Sequence, residues 1–300
     1  MATSAAGELR AKIRLERELS ATMRRLFATM GRQLQRSLGP IGGSMIPSFV
    51  PTWSPVLSTM LLNHYAKTAR KFGWNLCAAL PEKLRPSEAE RRVIAVEMGR
   101  VFSRRAEAQA KLILDTAQTR VIRSVGRVTA TIATPNSGLT MADLPRLVAR
   151  DWVRRQVIQS RAIGAFETQT AAETAKGIEA NRLLGQSPPV AKAVVGEAFK
   201  LWVTQGDSRV RTGQFDHLEA DGQRVPVSGS FEVSGERLRW PGDRSLGASM
   251  GNVANCRCSA VYETDSVAEL RESFLGQILA DLERFVQTES DVVVSMPFML

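Results

Sequence analysis

Apolar residues recur at three- and four-residue steps through the first part of the chain and at two-residue steps after residue 220, a pattern that predicts long helices followed by short strands. Ile13, Leu15, Leu19, Met23, Leu26, Met30 and Leu34, with arginines between them, predict an amphipathic helix over residues 6–37, stopped by Gly39-Pro40 and Gly42-Gly43. From Ser37 to Ala66 no residue carries a formal charge, yet Pro40, Pro47, Pro51 and Pro55 break any 20-residue apolar helix, so no membrane span is expected. The stretch predicts an irregular segment, then a short helix through Leu57, Met60, Leu61 and Tyr65. Ile46, Phe49, Val50 and Trp53 would make a poor free surface. A neighbouring subunit is the expected cover; the chain's own core is the alternative.

Ser87 and Glu90 form a capping-box pattern after Pro86. The helix they open reaches about Ala133, roughly 70 Å at ~1.5 Å per residue. Thr134-Pro135-Asn136-Ser137-Gly138 is a turn cluster and the best domain boundary, and Thr140 with Asp143 marks another helix start. Residues 141–184 read as helix with a break near Pro145, and helix resumes through Val190, Val194, Val195, Phe199 and Trp202. Val225/Val227, Phe231/Val233, Leu238/Trp240 and Ala260/Tyr262 then alternate as in short strands, with turns at Asp221-Gly222 and Ser234-Gly235-Glu236. Ser266 and Glu269 cap a last helix carrying Leu270, Phe274, Ile278, Leu282 and Phe285, followed by an apolar tail. The expected fold class is α+β: a long-helix N-terminal region, then a small antiparallel sheet with flanking helices. The expected parts are residues 1–38, 39–134, 139–264 and 265–300.

A hydrophobic content of 44% suffices for a real core. Cys77, Cys256 and Cys258 are too few for a disulfide framework, which fits assembly in a reducing cytoplasm, and no secretory signal is evident. Charge is uneven. Residues 1–150 carry 24 Lys/Arg against 10 Asp/Glu, and residues 151–300 carry 16 against 20. One end can therefore face a polyanion while the other docks on protein. Arg91, Arg92, Arg104 and Arg105 on the long helix are the candidate contacts to DNA phosphates; acidic protein surfaces are the other partner such arginines suit.

Candidate chemistry centres on His217, Cys256 and Cys258. Two cysteines two apart in a strand share a face, and a histidine from a facing hairpin can meet them, with Asp207, Asp216 or water completing a tetrahedral zinc site. A packed polar cluster without metal is the alternative, because only three soft ligands exist there. Asp207, Arg209, Arg211 and Asp216 suit an ion-pair network, or a site for an acidic partner. No Gly-x-Ser-x-Gly elbow, phosphate loop or His-Glu-x-x-His is present, so no enzyme is expected, and a hydrolase or maturation protease is disfavoured.

The order of elements is the most specific signal. Trp202 is followed by Asp207-x-Arg209-x-Arg211, His217, Asp221-Gly222, Phe231, Pro241-Gly242-Asp243 and Asn255-Cys256-Arg257-Cys258. Upstream stand Arg161-Ala162, Glu167-Thr168, Ala172 and Gly177-Ile178-Glu179. Over about residues 150–264 this combination resembles the phage Mu protein F-like family of minor head, or head morphogenesis, proteins. The resemblance implies a structural protein of a tailed phage, prophage or gene-transfer particle. Such a protein would be made in the bacterial cytoplasm and carried in the virion at the portal vertex, acting in head assembly and DNA packaging or ejection. Implied partners are the portal, capsid or scaffold proteins and packaged double-stranded DNA. Some relatives carry a fused ADP-ribosyltransferase toxin, but the required Glu-x-Glu motif is missing after Tyr262. A non-specific DNA-binding protein is the rival class; it would need aromatics among the basic residues, and the arginine-bearing helices offer few.

Overall fold

Four long helices build the larger part of the molecule. A computed structural model describes residues 5–38, 48–74, 85–185, 198–205, 210, 212–254 and 256–264. Helix α1 (Ala5–Leu38) buries Leu15, Leu19, Met23, Phe27, Met30, Leu34 and Leu38, the stripe expected of an amphipathic helix. Helix α2 (Phe49–Phe72) starts earlier than expected. Pro51 lies in its first turn, where backbone N–H groups have no helical partner in any case, and Pro55 removes only one further bond. The first N–H, of Phe49, donates to Gln118 Oε1 at 3.0 Å.

The described aromatic residues of the uncharged segment pack on the chain itself. Phe49 is fully buried with its ring 5.5 Å from that of Trp152, and Trp53 donates its indole N–H to Gln33 Oε1 at 2.9 Å. The expected subunit contact is thus corrected for Phe49, Val50 and Trp53, which pack on the helical core. Ile46 lies outside the described residues.

Helix α3 (Glu88–Ile132) carries the reciprocal Ser87–Glu90 capping box. The turn at residues 134–138 joins it to helix α4 (Leu144–Ala180), entered through a 3-10 turn at Met141–Asp143 that Thr140 and Asp143 cap. Pro145 sits in the first turn of α4 and breaks nothing. Leu114, Ala117, Val121, Leu144, Val148 and Trp152 share one core with α1 and α2, so the turn lies inside a single helical unit. Five π-helical residues, Asn181–Gly185, end α4.

The sheet begins at β1 (Ala198–Val203), where helix was expected. Lys200 and Trp202 point inward along this strand, and a lysine at an inward position hides the alternation that marks a half-buried strand. Strand β1 is central, with β2 (Arg224–Pro226) and β5 (Ser259–Thr264) antiparallel on either side. Register places Trp202 opposite Ala260 and Lys200 opposite Tyr262. Strands β3 (Phe231–Val233) and β4 (Glu236–Leu238) form a separate hairpin across Ser234-Gly235, both at positive φ. This two-residue turn has the twist that suits a right-handed hairpin. A one-turn helix, α5 (Met250–Val253), precedes the cysteines. The described residues make an α+β fold; the expected last helix and tail lie outside them.

Candidate functional site

From Glu167 to Ala180 every residue of α4 is buried. Small residues, including Thr168, Thr170, Ala171, Ala172, Thr174, Ala175 and Gly177, let neighbours close in on all sides. A Cβ at Gly177 would run into the Trp240 ring. Polar side chains on this stretch therefore need internal partners, and Glu167, Thr168, Gln169, Glu173 and Lys176 have them, in two sets.

The first set faces the helical unit. Glu167 Oε2 accepts from the Tyr65 hydroxyl at 2.5 Å and from Arg105 Nη2 at 3.1 Å. His64 Nε2 meets Thr168 Oγ1 at 2.9 Å, and burial, aided by Lys67, lowers its pKa to about 4. Burial disfavours charge on Arg105, but Glu167 outweighs it and holds the guanidinium protonated. Arg105 is consequently an internal ion-pair residue, which corrects its assignment to a DNA-facing surface. Arg91, Arg92 and Arg104 are exposed on α3. Arg92, Arg100 and Arg104 line one groove of about 830 Å³ with Arg182, while Glu97 pairs with Arg182 at 2.5 Å and Glu88 with Arg92 at 3.3 Å.

The second set grips strand β5. Gln169, Glu173 and Lys176 recur at helical spacing and bond the backbone of β5 and of the residue just before it: Gln169 Nε2 donates to Cys258 O, Ala260 N donates to Glu173 Oε2 at 2.9 Å, and Lys176 Nζ donates to Ala260 O at 3.2 Å. An exposed sheet edge is thereby covered. Lys12 of α1 joins in, donating to Glu173 Oε1 at 2.8 Å and Ser259 Oγ at 3.0 Å. Glu8 pairs with Lys12 at 3.0 Å and Lys176 at 3.1 Å. Burial opposes its ionisation, but Lys176 and Lys12 prevail and lower its pKa to about 2. Two cations and two carboxylates balance. These residues form no sequence motif; their legible signal is a helix stretch of small residues interrupted by polar ones at i, i+4 and i+7.

Above this edge lies the Cys-His cluster. Cys256 and Cys258 precede β5 instead of lying in it, but both are buried, and their sulfur atoms and a His217 ring nitrogen all lie within 4.8 Å of one another. His217 comes from the loop before β2, and its ring meets Trp202 edge-on at 5.6 Å. Asn252 fixes its tautomer. The Asn252 amide nitrogen donates to Val233 O and Glu236 Oε2, both at 3.0 Å, so its oxygen faces His217 Nε2 at 2.9 Å, beside its own backbone carbonyl at 3.0 Å. With two acceptors there, Nε2 carries the proton and the Nδ1 lone pair faces Cys258 Sγ at 3.5 Å. Hydrogen bonding to Cys256 and burial raise the Cys258 pKa; its proton in turn lowers that of Cys256.

These three residues fit a zinc ion at three corners. Ligand atoms in tetrahedral zinc sites stand roughly 3.3–3.8 Å apart, and a histidine whose other N–H is held by a carbonyl is the usual supporting arrangement. Among the described residues no carboxylate supplies a fourth corner. Asp216 is used locally, its Oδ1 accepting from Leu218 N at 2.8 Å and Glu219 N at 3.3 Å. Asp207, Arg209 and Arg211 lie outside the described residues, and with them the expected ion-pair network. A bound zinc would tie the His217 loop to the cysteines and serve structure; the same residues close as a hydrogen-bonded cluster without it.

The remaining motif residues converge here. Trp202 and Phe231, both fully buried, meet edge-to-face at 5.2 Å. Asp221 Oδ1 accepts from Thr204 N at 2.7 Å, and Gly222 N donates to Trp202 O at 2.9 Å, turning the chain into β2. Pro241-Gly242 occupies the centre of a turn closed by Asp243 N donating to Trp240 O at 3.0 Å; Gly242 has φ +82, which requires glycine in a type II turn. Asp243 locks it by accepting from Arg239 N at 3.1 Å and Ser245 Oγ at 2.8 Å.

No helix of the described residues is long and apolar enough to cross a membrane. No known family, curated protein or solved structure matches the chain.

Proposed function

We propose that the chain is a minor head protein of a tailed phage, prophage or gene-transfer particle, acting at the portal vertex in head assembly and DNA packaging or ejection. The observation that supports this reading is convergence. Trp202, His217, Asp221-Gly222, Phe231, Pro241-Gly242-Asp243 and the Cys256/Cys258 pair, spread over some sixty residues, form one small unit. That unit is seated on the buried stretch of α4 that carries Glu167-Thr168, Ala172 and Gly177-Ile178-Glu179 of the upstream resemblance, with Arg161-Ala162 exposed just before it. The exposed arginines of α3 face packaged DNA in this reading, and the assignment includes no catalysis.

Co-purification of the full chain with isolated portal rings tests the proposal. A chain that stays monomeric beside portal, capsid and scaffold proteins would sink it. The DNA contact is tested separately by reversing Arg91, Arg92 and Arg104 to glutamate together. Wild type should bind random duplex at low salt and release it steeply as salt rises, because neutralised phosphates release counterions. The triple variant should lose that binding and keep the portal. Equal DNA binding by both would remove the α3 face from the proposal.

A further inference from the structure

A second pocket, unrelated to the cysteines, opens where the end of α4 meets the outer part of the sheet. Its volume is about 250 Å³, and it is lined by Lys200 of β1, Tyr262 of β5, the turn around Gly229, and Arg237, Arg239 and Trp240 of the β4 hairpin arm. The size lies below the ~300–1,000 Å³ of pockets for drug-sized ligands, so only a small ligand fits.

The lining is rich in donors. The Trp240 indole N–H and the Tyr262 hydroxyl are both buried and have no hydrogen-bond partner among the described residues. An indole N–H can only donate, so it calls for an acceptor. Burial, then Glu173 and Glu179, keep the Tyr262 phenol protonated and hence also able to donate. Lys200 is 2% exposed and uses one ammonium hydrogen on Gly229 O at 2.7 Å, leaving two. Arg237 is pinned at the rim by its bond to Ser230 Oγ at 2.9 Å. Asp243 stands near Lys200, but its oxygens already accept from Arg239 N, Ser245 N and Ser245 Oγ. Lys200, Arg237 and Arg239 outnumber the nearby Asp243 and Glu179, and Glu173 is neutralised by Lys12 and Lys176. Unpartnered buried donors under a cationic rim are complementary to a compact anion with several acceptor oxygens.

We propose that this pocket binds a small tetrahedral oxyanion of the phosphate type. It is independent of the portal reading and of any metal at Cys256 and Cys258.

The test is calorimetric titration of the full chain with inorganic phosphate, with chloride holding ionic strength constant. One equivalent should bind, and thermal stability should rise with phosphate. The arginines of α3 also attract phosphate, so the decisive variants are Trp240→Phe and Tyr262→Phe, which keep the ring and delete one donor each. Each should weaken binding about five- to tenfold, the effect of one lost hydrogen bond, and Arg239→Gln should weaken it more. Unchanged circular dichroism would certify the fold. Wild-type affinity in both ring variants would overturn the proposal, as would a Tyr262→Phe chain that is simply more stable with no phosphate dependence in wild type.

Discussion

The helical unit and the sheet unit are held together by different chemistry. In the helical unit, α1, α2, α3 and α4 contribute long apolar stripes to one continuous core. The sheet unit has strands of three to six residues and a far smaller core around Trp202, Phe231 and Leu238. So small a sheet needs an external support, and it takes one from the polar face of α4, through bonds to the backbone of β5. The contrast teaches that the buried charges are the joint of this molecule. Removing one should loosen the sheet, whereas removing a methyl cluster should weaken the whole.

Glu173→Ala is expected to have the largest effect. It leaves Lys12 and Lys176 buried beside a single remaining carboxylate and frees Ala260 N, and breaking such a network typically costs about 3–5 kcal/mol. Amide exchange should quicken across residues 198–264 before it does in α1–α3. Uniform acceleration through both units would mean that they unfold as one. Leu114→Ala, in a fully buried position of α3, should cost about 2–5 kcal/mol and lower the protection of all four long helices together.

Acid provides a third comparison. His64 titrates at about 4 in the folded chain against 6.5 ordinarily. Between those values the unfolded chain takes up a proton that the folded chain refuses, so stability falls as pH drops from about 6.5 to 4 and this contribution is flat below. The full loss is about 3 kcal/mol at 1.36 kcal/mol per pK unit. Glu8, lowered to about 2, works in a later window, losing its contribution as pH falls from 4.5 to 2. Denaturant midpoints measured against pH should show the upper step vanish in His64→Gln and the lower step persist. Parallel curves for the two proteins would refute the assignment.

The helical unit was far more legible in the sequence than the sheet. Heptad-like stripes and capping boxes announce α1 and α3 because long helices repeat their signal over many turns. Strand β1 was hidden by Lys200, an inward lysine that breaks the alternation, and the start of α2 by Pro51, which a first turn tolerates, and Pro55, which the helix accommodates further on. The Cys-His grouping was readable from residue types alone. Its support was not: Gln169, Glu173 and Lys176 have meaning only once β5 lies beside α4, which no local pattern encodes. Arg105 misled for the same reason, since its charge looks solvated until Glu167 and Tyr65 are placed opposite.

The smallest expected effect, and the sharpest test within the sheet unit, comes from His217. Replacing it with alanine leaves Asn252 Oδ1 without its donor and removes the acceptor facing Cys258, and the ring's edge contact with Trp202 goes too. A buried polar cluster that loses one member costs on the order of 1–3 kcal/mol. Cys256→Ser should fall in the same range, because the smaller, more polar hydroxyl replaces a sulfur in a buried position. Both changes should act on residues 198–264 and leave the protection of α1–α3 as it is, in contrast to Leu114→Ala. Metal content of the purified chain then divides the two ways of closing the cluster. With one zinc per chain, His217→Ala should lose the ion and exceed the range above, since binding energy at a structural zinc is folding energy. With none, His217→Ala should stay within it and a chelator should change nothing. A stoichiometric zinc that survives His217→Ala would show that the imidazole Nδ1, despite its aim at Cys258, is not a ligand.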